Sequence, residues 1–166
     1  MPIQIRPVRI EDAADIASIL NAIIAAGRFT VLDRLLSVED ERRYIAGFPQ
    51  RGVFNVAMED RGRRVVGLQS LEPFATYAQA FAHVGSIGTF VDLSMRRQGI
   101  GSRLCQVTFE GARRLGYEKV FTYVRADNAA SLAFHLKLGF RIVGTAERQA
   151  KIRGRYVDEI VIERLL

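Results

Sequence analysis

Twelve residues, Val91-Asp92-Leu93-Ser94-Met95-Arg96-Arg97-Gln98-Gly99-Ile100-Gly101-Ser102, compress the end of a strand, an arginine pair, two glycines and a helix start. No other stretch of the chain limits its fold so strongly. A helix N-terminus leaves backbone N–H groups without intrahelical partners and carries the positive end of the helix dipole. It therefore binds anions wherever glycines let a ligand approach the chain closely. No acidic residue lies between Asp92 and Glu110, and Arg96, Arg97 and Arg103 make the segment basic. This combination suits two or more phosphates. A helix entered through a flexible glycine loop with solvated arginines has the same outline. A dinucleotide fingerprint is disfavoured, because Leu104 stands where the third glycine of G-x-G-x-x-G belongs. A P-loop is excluded, since no Gly-Lys-Ser/Thr follows.

The periodicity around this segment alternates between strand and helix. Ile3, Ile5 and Pro7 to Val8 read as a strand, and Ile16, Ile19, Leu20, Ile23 and Ile24 place a helix over about Asp12 to Ala26. Ser37 followed by Asp40 is a weakened capping box that opens a second helix, ended before Pro49. Val53 to Met58 and Arg64 to Leu71 read as strands joined by a turn at Gly62. His83 to Asp92 is a third strand of this run. The helix after the glycines, Ser102 to Leu115, puts Leu104, Val107, Thr108, Ala112 and Leu115 on one face and ends at Gly116. A strand (Glu118 to Arg125), a helix (Asn128 to Leu138, closed by Gly139) and strands Phe140 to Glu147 and Tyr156 to Arg164 complete a βααβββαβαββ order. The expected class is α/β (α+β): a mixed, mostly antiparallel sheet flanked by about four helices, in a single domain over residues 1–166.

Composition narrows the function. A chain of 166 residues, 49% apolar and 25% charged, can bury a core without disulfides or a structural metal. Its one cysteine, Cys105, forms no disulfide framework, and a buried thiol is the expectation. With only His83 and His135 as imidazoles, no metal site is expected. The run from Ile16 to Gly27 is shorter than the roughly 20 apolar residues of a bilayer span, and the start is charged. The expectation is a cytoplasmic protein without membrane contact. A net charge of +6 admits nucleic acid, an anionic membrane or a polyanionic small molecule, and its concentration at Arg96, Arg97 and Arg103 favours the last. A second basic stretch, Arg148 to Arg155, is left unassigned.

Arg96-Arg97-Gln98-Gly99-Ile100-Gly101 resembles the R/Q-x-x-G-x-G/A signature of the GNAT acyltransferase superfamily, whose element order is the one above. Asn128 to Phe140 resembles that family's N-x-x-S-x-x-L-Y-x-K-x-G-F segment at the expected distance downstream. The resemblance is strong from Val84 to Gly144 and diffuse before it. It implies the GNAT fold, with the sheet splayed at the cofactor site, and acetyl-CoA as donor. Pyrophosphate would sit on the N–H groups of Arg97, Gln98, Gly99, Ile100, Gly101 and Ser102. Pantetheine would pair with backbone near Phe90 and Val91, and Asn128 with Ser131 would contact the CoA chain. An asparagine opening a helix is equally a plain N-cap. His135 and the closing Gly154-Arg155-Tyr156-Val157-Asp158 resemble the phosphinothricin and methionine sulfoximine acetyltransferase branch.

The resemblance implies N-acetyl transfer to a primary amine of a small molecule by direct attack. The rival readings are a protein N-terminal or lysine acetyltransferase and a non-catalytic acyl-CoA-binding module. Many relatives are dimers, which implies a homodimer here. Direct transfer needs a base for the amine and an acid for the leaving sulfur. Where many relatives carry Glu on the central strand this chain has Ser86, and where they carry a Tyr acid it has His135. Ser86 alone cannot serve as base, which leaves His83, Glu72 or Asp92 acting through water, or an amine that arrives neutral. His83 faces away from Ser86 on a regular strand, unless a bulge at Gly85 or Gly88 turns it inward. An imidazole with an ordinary pKa is protonated in roughly a quarter of molecules at pH 7, enough for His135 to act as acid.

Overall fold

The alternation of side chains along one strand, Val53–Glu59, separates the molecule into two layers. Phe54 and Val56 pack with Ile16, Ile19, Leu20, Ile23 and Ile24, whereas Ala57 packs with Ile100 and Leu104. The Asn55 amide donates to Thr108 Oγ1 at 3.1 Å on that second side. A computed structural model describes residues 3–59 and 64–166. The order is β1 (Ile3–Pro7), α1 (Ala13–Ala26), α2 (Val38–Ala46), β2 (Val53–Glu59), β3 (Arg64–Pro73), β4 (Val84–Val91), α3 (Ile100–Arg114), β5 (Lys119–Arg125), α4 (Ala129–Lys137), β6 (Arg141–Ile152) and β7 (Arg155–Leu165). This is the expected βααβββαβαββ order. The turn expected at Gly62 lies outside the described residues, and the strands on either side pair antiparallel, Glu59 opposite Arg64.

The seven strands form one open sheet in the order β1-β2-β3-β4-β5-β7-β6. Every pairing is antiparallel except β4 with β5. That parallel pair is short: Val84, Gly85 and Ser86 meet Lys119, Val120 and Phe121, and then the strands part. Thr122 Oγ1 donates to the Ile87 carbonyl at 2.8 Å, the last tie between them. Beyond it β4 continues to Val91, paired only with β3. The sheet is splayed there, with one backbone edge of Gly88 to Val91 open.

Capping chemistry sets several boundaries. Ser37 and Asp40 close a reciprocal capping box on α2, as the sequence predicts. Gly116 (φ +84°) and Gly139 (φ +83°) follow α3 and α4 in the left-handed region. Two expectations need correction. Helix α3 begins at Ile100, and its buried stripe runs through Ile100, Leu104, Cys105, Thr108, Phe109 and Ala112. Val107 and Leu115 are exposed, at 38% and 39%. The stripe admits Thr108 and Cys105 because Asn55 and Gln69 supply their hydrogen bonds. Strand β6 runs five residues past Glu147, to Ile152, through a bulge at which Arg148 takes φ +53° and its N–H donates to Asp158. The Arg148 and Lys151 cations lie over the Tyr156 ring, 4.0 Å and 5.1 Å from its centroid, which gives part of the second basic stretch a packing role. No helix among the described residues is long and apolar enough to cross a membrane.

Candidate active site

Two cavities open where β4 and β5 part. One, of about 460 Å³, is lined by Arg96, Arg97, Gly99, Ile100, Gly101 and Ser102 of the glycine segment, with Val91 and Phe134. The other, of about 580 Å³, is lined by α2, the segment from Phe29 to Leu36, and Ser86 to Phe90 of β4. They share Phe29, Thr89, Phe90, Asn128, Ser131 and His135, so they form a single path through the splayed sheet. Its two ends differ in chemistry.

At the smaller end, Gly99 adopts φ +77° at the N-cap of α3 and Arg97 is left-handed at φ +62°. This bend presents the free N–H groups of the first turn. The Arg96 guanidinium lies 3.8 Å from the centre of the Phe29 ring, which Arg28 also covers at 4.8 Å. Burial first, and then Arg28, lower the Arg96 pKa. Gly101 is required by packing: a Cβ there would lie 2.9 Å from Phe134 Cζ. Gln98 turns aside to Met95, and Arg103 donates to the Ile3 carbonyl rather than facing the cavity. An anionic, elongated ligand fits this end, with its arm along the open edge of Gly88 to Val91.

The junction is held by hydrogen bonds. Asn128 accepts from Ser131 N–H at 3.2 Å as the N-cap of α4, and its amide donates to the Phe29 carbonyl. Arg125 is buried, forms a two-pronged pair with Asp127, and donates to the carbonyls of Gly27 and Thr30. The loop between α1 and α2 is thereby fixed to the end of β5. His135 is 6% exposed, edge-on to Phe134 and Phe140. Its Nδ1 lies 2.8 Å from the Ser131 carbonyl. A carbonyl only accepts, so Nδ1 carries the proton and Nε2 presents a lone pair. Burial lowers the His135 pKa, with the Ser131 bond opposing. The imidazole is thus less protonated at pH 7 than an ordinary one, and better suited to accept a proton than to supply one.

The residues expected to assist Ser86 are not brought to the larger cavity. His83 is exposed and outside both linings, and its carbonyl accepts from the N–H groups of Glu118 and Lys119. Asp92 bonds Ser94 and Arg64, and these outweigh burial to hold its carboxyl below the usual range. Glu72, opposite Ser86 on β3, accepts the Tyr44 hydroxyl. Two buried acids of this lining, Glu41 and Glu159, are passed over by the sequence reading, and Glu159 lies near Arg125. Glu41 lines the cavity, is 3% exposed, and its Oε1 has no hydrogen-bond partner. The available signal is its spacing, Val38, Glu41, Ile45 and Phe48, which puts an acid on the apolar stripe of α2.

The comparisons agree with this geometry. Residues 20–140 match the profile described as the acetyltransferase (GNAT) family. The chain belongs to the acetyltransferase (GNAT) family. It is an acetyl-CoA-dependent acyltransferase. A phosphinothricin N-acetyltransferase of Streptomyces coelicolor is 25% identical over 99% of this chain and 96% of its own length. An L-methionine sulfoximine/L-methionine sulfone acetyltransferase of Pseudomonas paraeruginosa is 25% identical over 95% of this chain and 91% of its own. In fold, the GNAT phosphinothricin acetyltransferase of Sinorhizobium meliloti, solved in complex with AcCoA, superposes at a TM-score of 0.90 and 20% identity, covering 100% of this chain and 89% of that one. The GNAT match thus covers the cofactor loop and the helix bearing His135, while the last hairpin lies beyond it.

Proposed function

We propose that this chain, as one domain over residues 1–166, transfers acetyl from acetyl-CoA to a primary amine of a small molecule. The observation that carries the reading is the continuous path from a basic glycine-turned helix start to a second, walled cavity. About 580 Å³ is the size of a small-molecule site, and the segment from Phe29 to Leu36 and α2 line it. Relatives named for phosphinothricin and for L-methionine sulfoximine or L-methionine sulfone support the same acceptor size.

Acetyl-CoA, when bound, supplies an acetyl thioester as electrophile. The N–H groups of Gly99 to Ser102, with Arg96 and Arg97, hold its phosphates. The open backbone of Phe90 and Val91 takes the amide-bearing arm, beside Asn128 and Ser131. Ser86 orients the acceptor from the β4 wall. His135 Nε2 receives the proton that the nitrogen sheds as its bond to the acetyl carbon forms, and gives it to the departing sulfur. Its lowered pKa and free lone pair fit that exchange. His83 takes no part.

Thiol release measured against a panel of primary amines, amino-acid analogues and short peptides tests the reading. Turnover is expected with at least one small amine. Turnover confined to peptides favours the protein acetyltransferase, and none at all with acetyl-CoA still bound favours the binding module. His135→Phe keeps the ring packing and is expected to lower kcat about 10- to 100-fold at unchanged acetyl-CoA affinity. Unchanged kcat removes His135 from the mechanism.

A further inference from the structure

Resting on the acetyl-transfer reading, we propose that Glu41 receives the acceptor's ammonium in the larger cavity and removes the proton that must leave before the nitrogen can attack. The assignment places the base on α2, across the cavity from the β4 position that Ser86 occupies.

Three observations carry it. The carboxylate is buried, Oε1 accepts no hydrogen bond, and the residue lines the cavity that ends at Ser86 and His135. A buried carboxylate without a donor is costly to a fold, so a donor that arrives with the acceptor is the natural partner. The side chain is also well positioned. The Ser37–Asp40 capping box fixes the start of α2, and Tyr44, one turn on from Glu41, is anchored through its hydroxyl to Glu72 on β3. Finally, the one arginine in the lining cannot neutralise Glu41, because Arg125 is committed to Asp127 and to two carbonyls.

The protonation chemistry is consistent. Burial pushes the Glu41 carboxyl up to about 7, so above neutrality it is a carboxylate basic enough to take a proton from a bound ammonium. The other ionisable groups of the cavity wall are Asp40 and Tyr44 on α2, Tyr123 and Arg125 on β5, His135 on α4 and Glu159 on β7. Glu11 and Asp12 lie on the short turn packed against α2, and Asp12 is paired with Arg6. The step balances: an N–H bond of the ammonium breaks, an O–H bond forms on Glu41, and that proton passes to water. The second proton travels from nitrogen to sulfur through His135.

The test compares wild type with Glu41→Gln and Glu41→Asp, using the best amine of the panel. In the wild type, kcat/KM is expected to rise with a midpoint near pH 7. In Glu41→Gln it should fall 100-fold or more at pH 7 and track the free-amine fraction up to the amine's own pKa. Glu41→Asp should recover part of the rate and the rise near neutrality. Thermal protection by acetyl-CoA should persist in both variants. A Glu41→Gln enzyme that retains a tenth or more of kcat/KM with the wild-type pH profile overturns the assignment and leaves acetyl transfer standing. A wild type that turns over no amine overturns the transfer reading itself, and the assignment with it.

Discussion

Gly101→Leu is expected to abolish the rise in melting temperature that saturating acetyl-CoA gives the wild-type protein. A ligand present at 100 times its Kd adds about 2.7 kcal/mol to the native state, roughly 5–10 °C for a chain of this size. The substitution leaves the α3 backbone content, since leucine is a better helix former than glycine. Its side chain has nowhere to go, because even the Cβ would lie 2.9 Å from Phe134 Cζ and 3.2 Å from Cε2. Phe134 lines the cofactor cavity, so the ring or the new side chain must enter the space between α3 and α4. Gly144→Ala is the control, as its added Cβ meets nothing within 4 Å. Scanning fluorimetry with and without acetyl-CoA reads both. A full shift in Gly101→Leu, beside a full shift in the control, removes the glycine turn from cofactor binding.

The cofactor end was open to reading from sequence because its chemistry is local. A helix start, a left-handed glycine and basic side chains are specified by neighbours in the chain, and main-chain donors do not depend on distant residues. Gly101 is a partial exception. Its place in the motif is legible, but the reason for it, Phe134 across the interface with α4, is a contact 33 positions away. His135 divides the same way. Its helical position is plain, whereas its tautomer and lowered pKa come from the Ser131 carbonyl and from burial between two aromatic rings.

The rest depends on tertiary context. Periodicity favours Val107 and Leu115 for the α3 face, yet both are exposed and Ile100 and Phe109 are buried with Leu104, Thr108 and Ala112. The polar run Glu147 to Lys151 has little strand propensity of its own. It extends β6 because β7 pairs with it and because a bulge at Arg148 absorbs the extra residues. Glu41 is the clearest case. Its spacing from Val38 and Ile45 is the one local signal, and an acid on a charged helix otherwise reads as solvated until the packing of α2 against α1 and the cavity shows it buried.

That burial leads to an expected result of opposite sign for stability and activity. The unfolded chain releases the Glu41 proton near its ordinary pKa of 4.5, whereas the folded protein holds it to about 7. Between those values the unfolded state binds fewer protons, so stability falls as pH rises, by about 1.4 kcal/mol per unit. Above pH 7 the loss is complete. Relative to Glu41→Gln, which has no charge to bury, the wild type should therefore lose up to about 3 kcal/mol between pH 4.5 and pH 8. Urea unfolding of both proteins at those two values measures the difference directly. A constant difference across the range means that the carboxyl titrates as it does in water and carries no penalty. The expected outcome, a variant more stable than the parent in alkaline buffer yet slower by 100-fold or more at pH 7, distinguishes a residue kept for chemistry from one kept for the fold. A structural acid would lose stability on the same substitution.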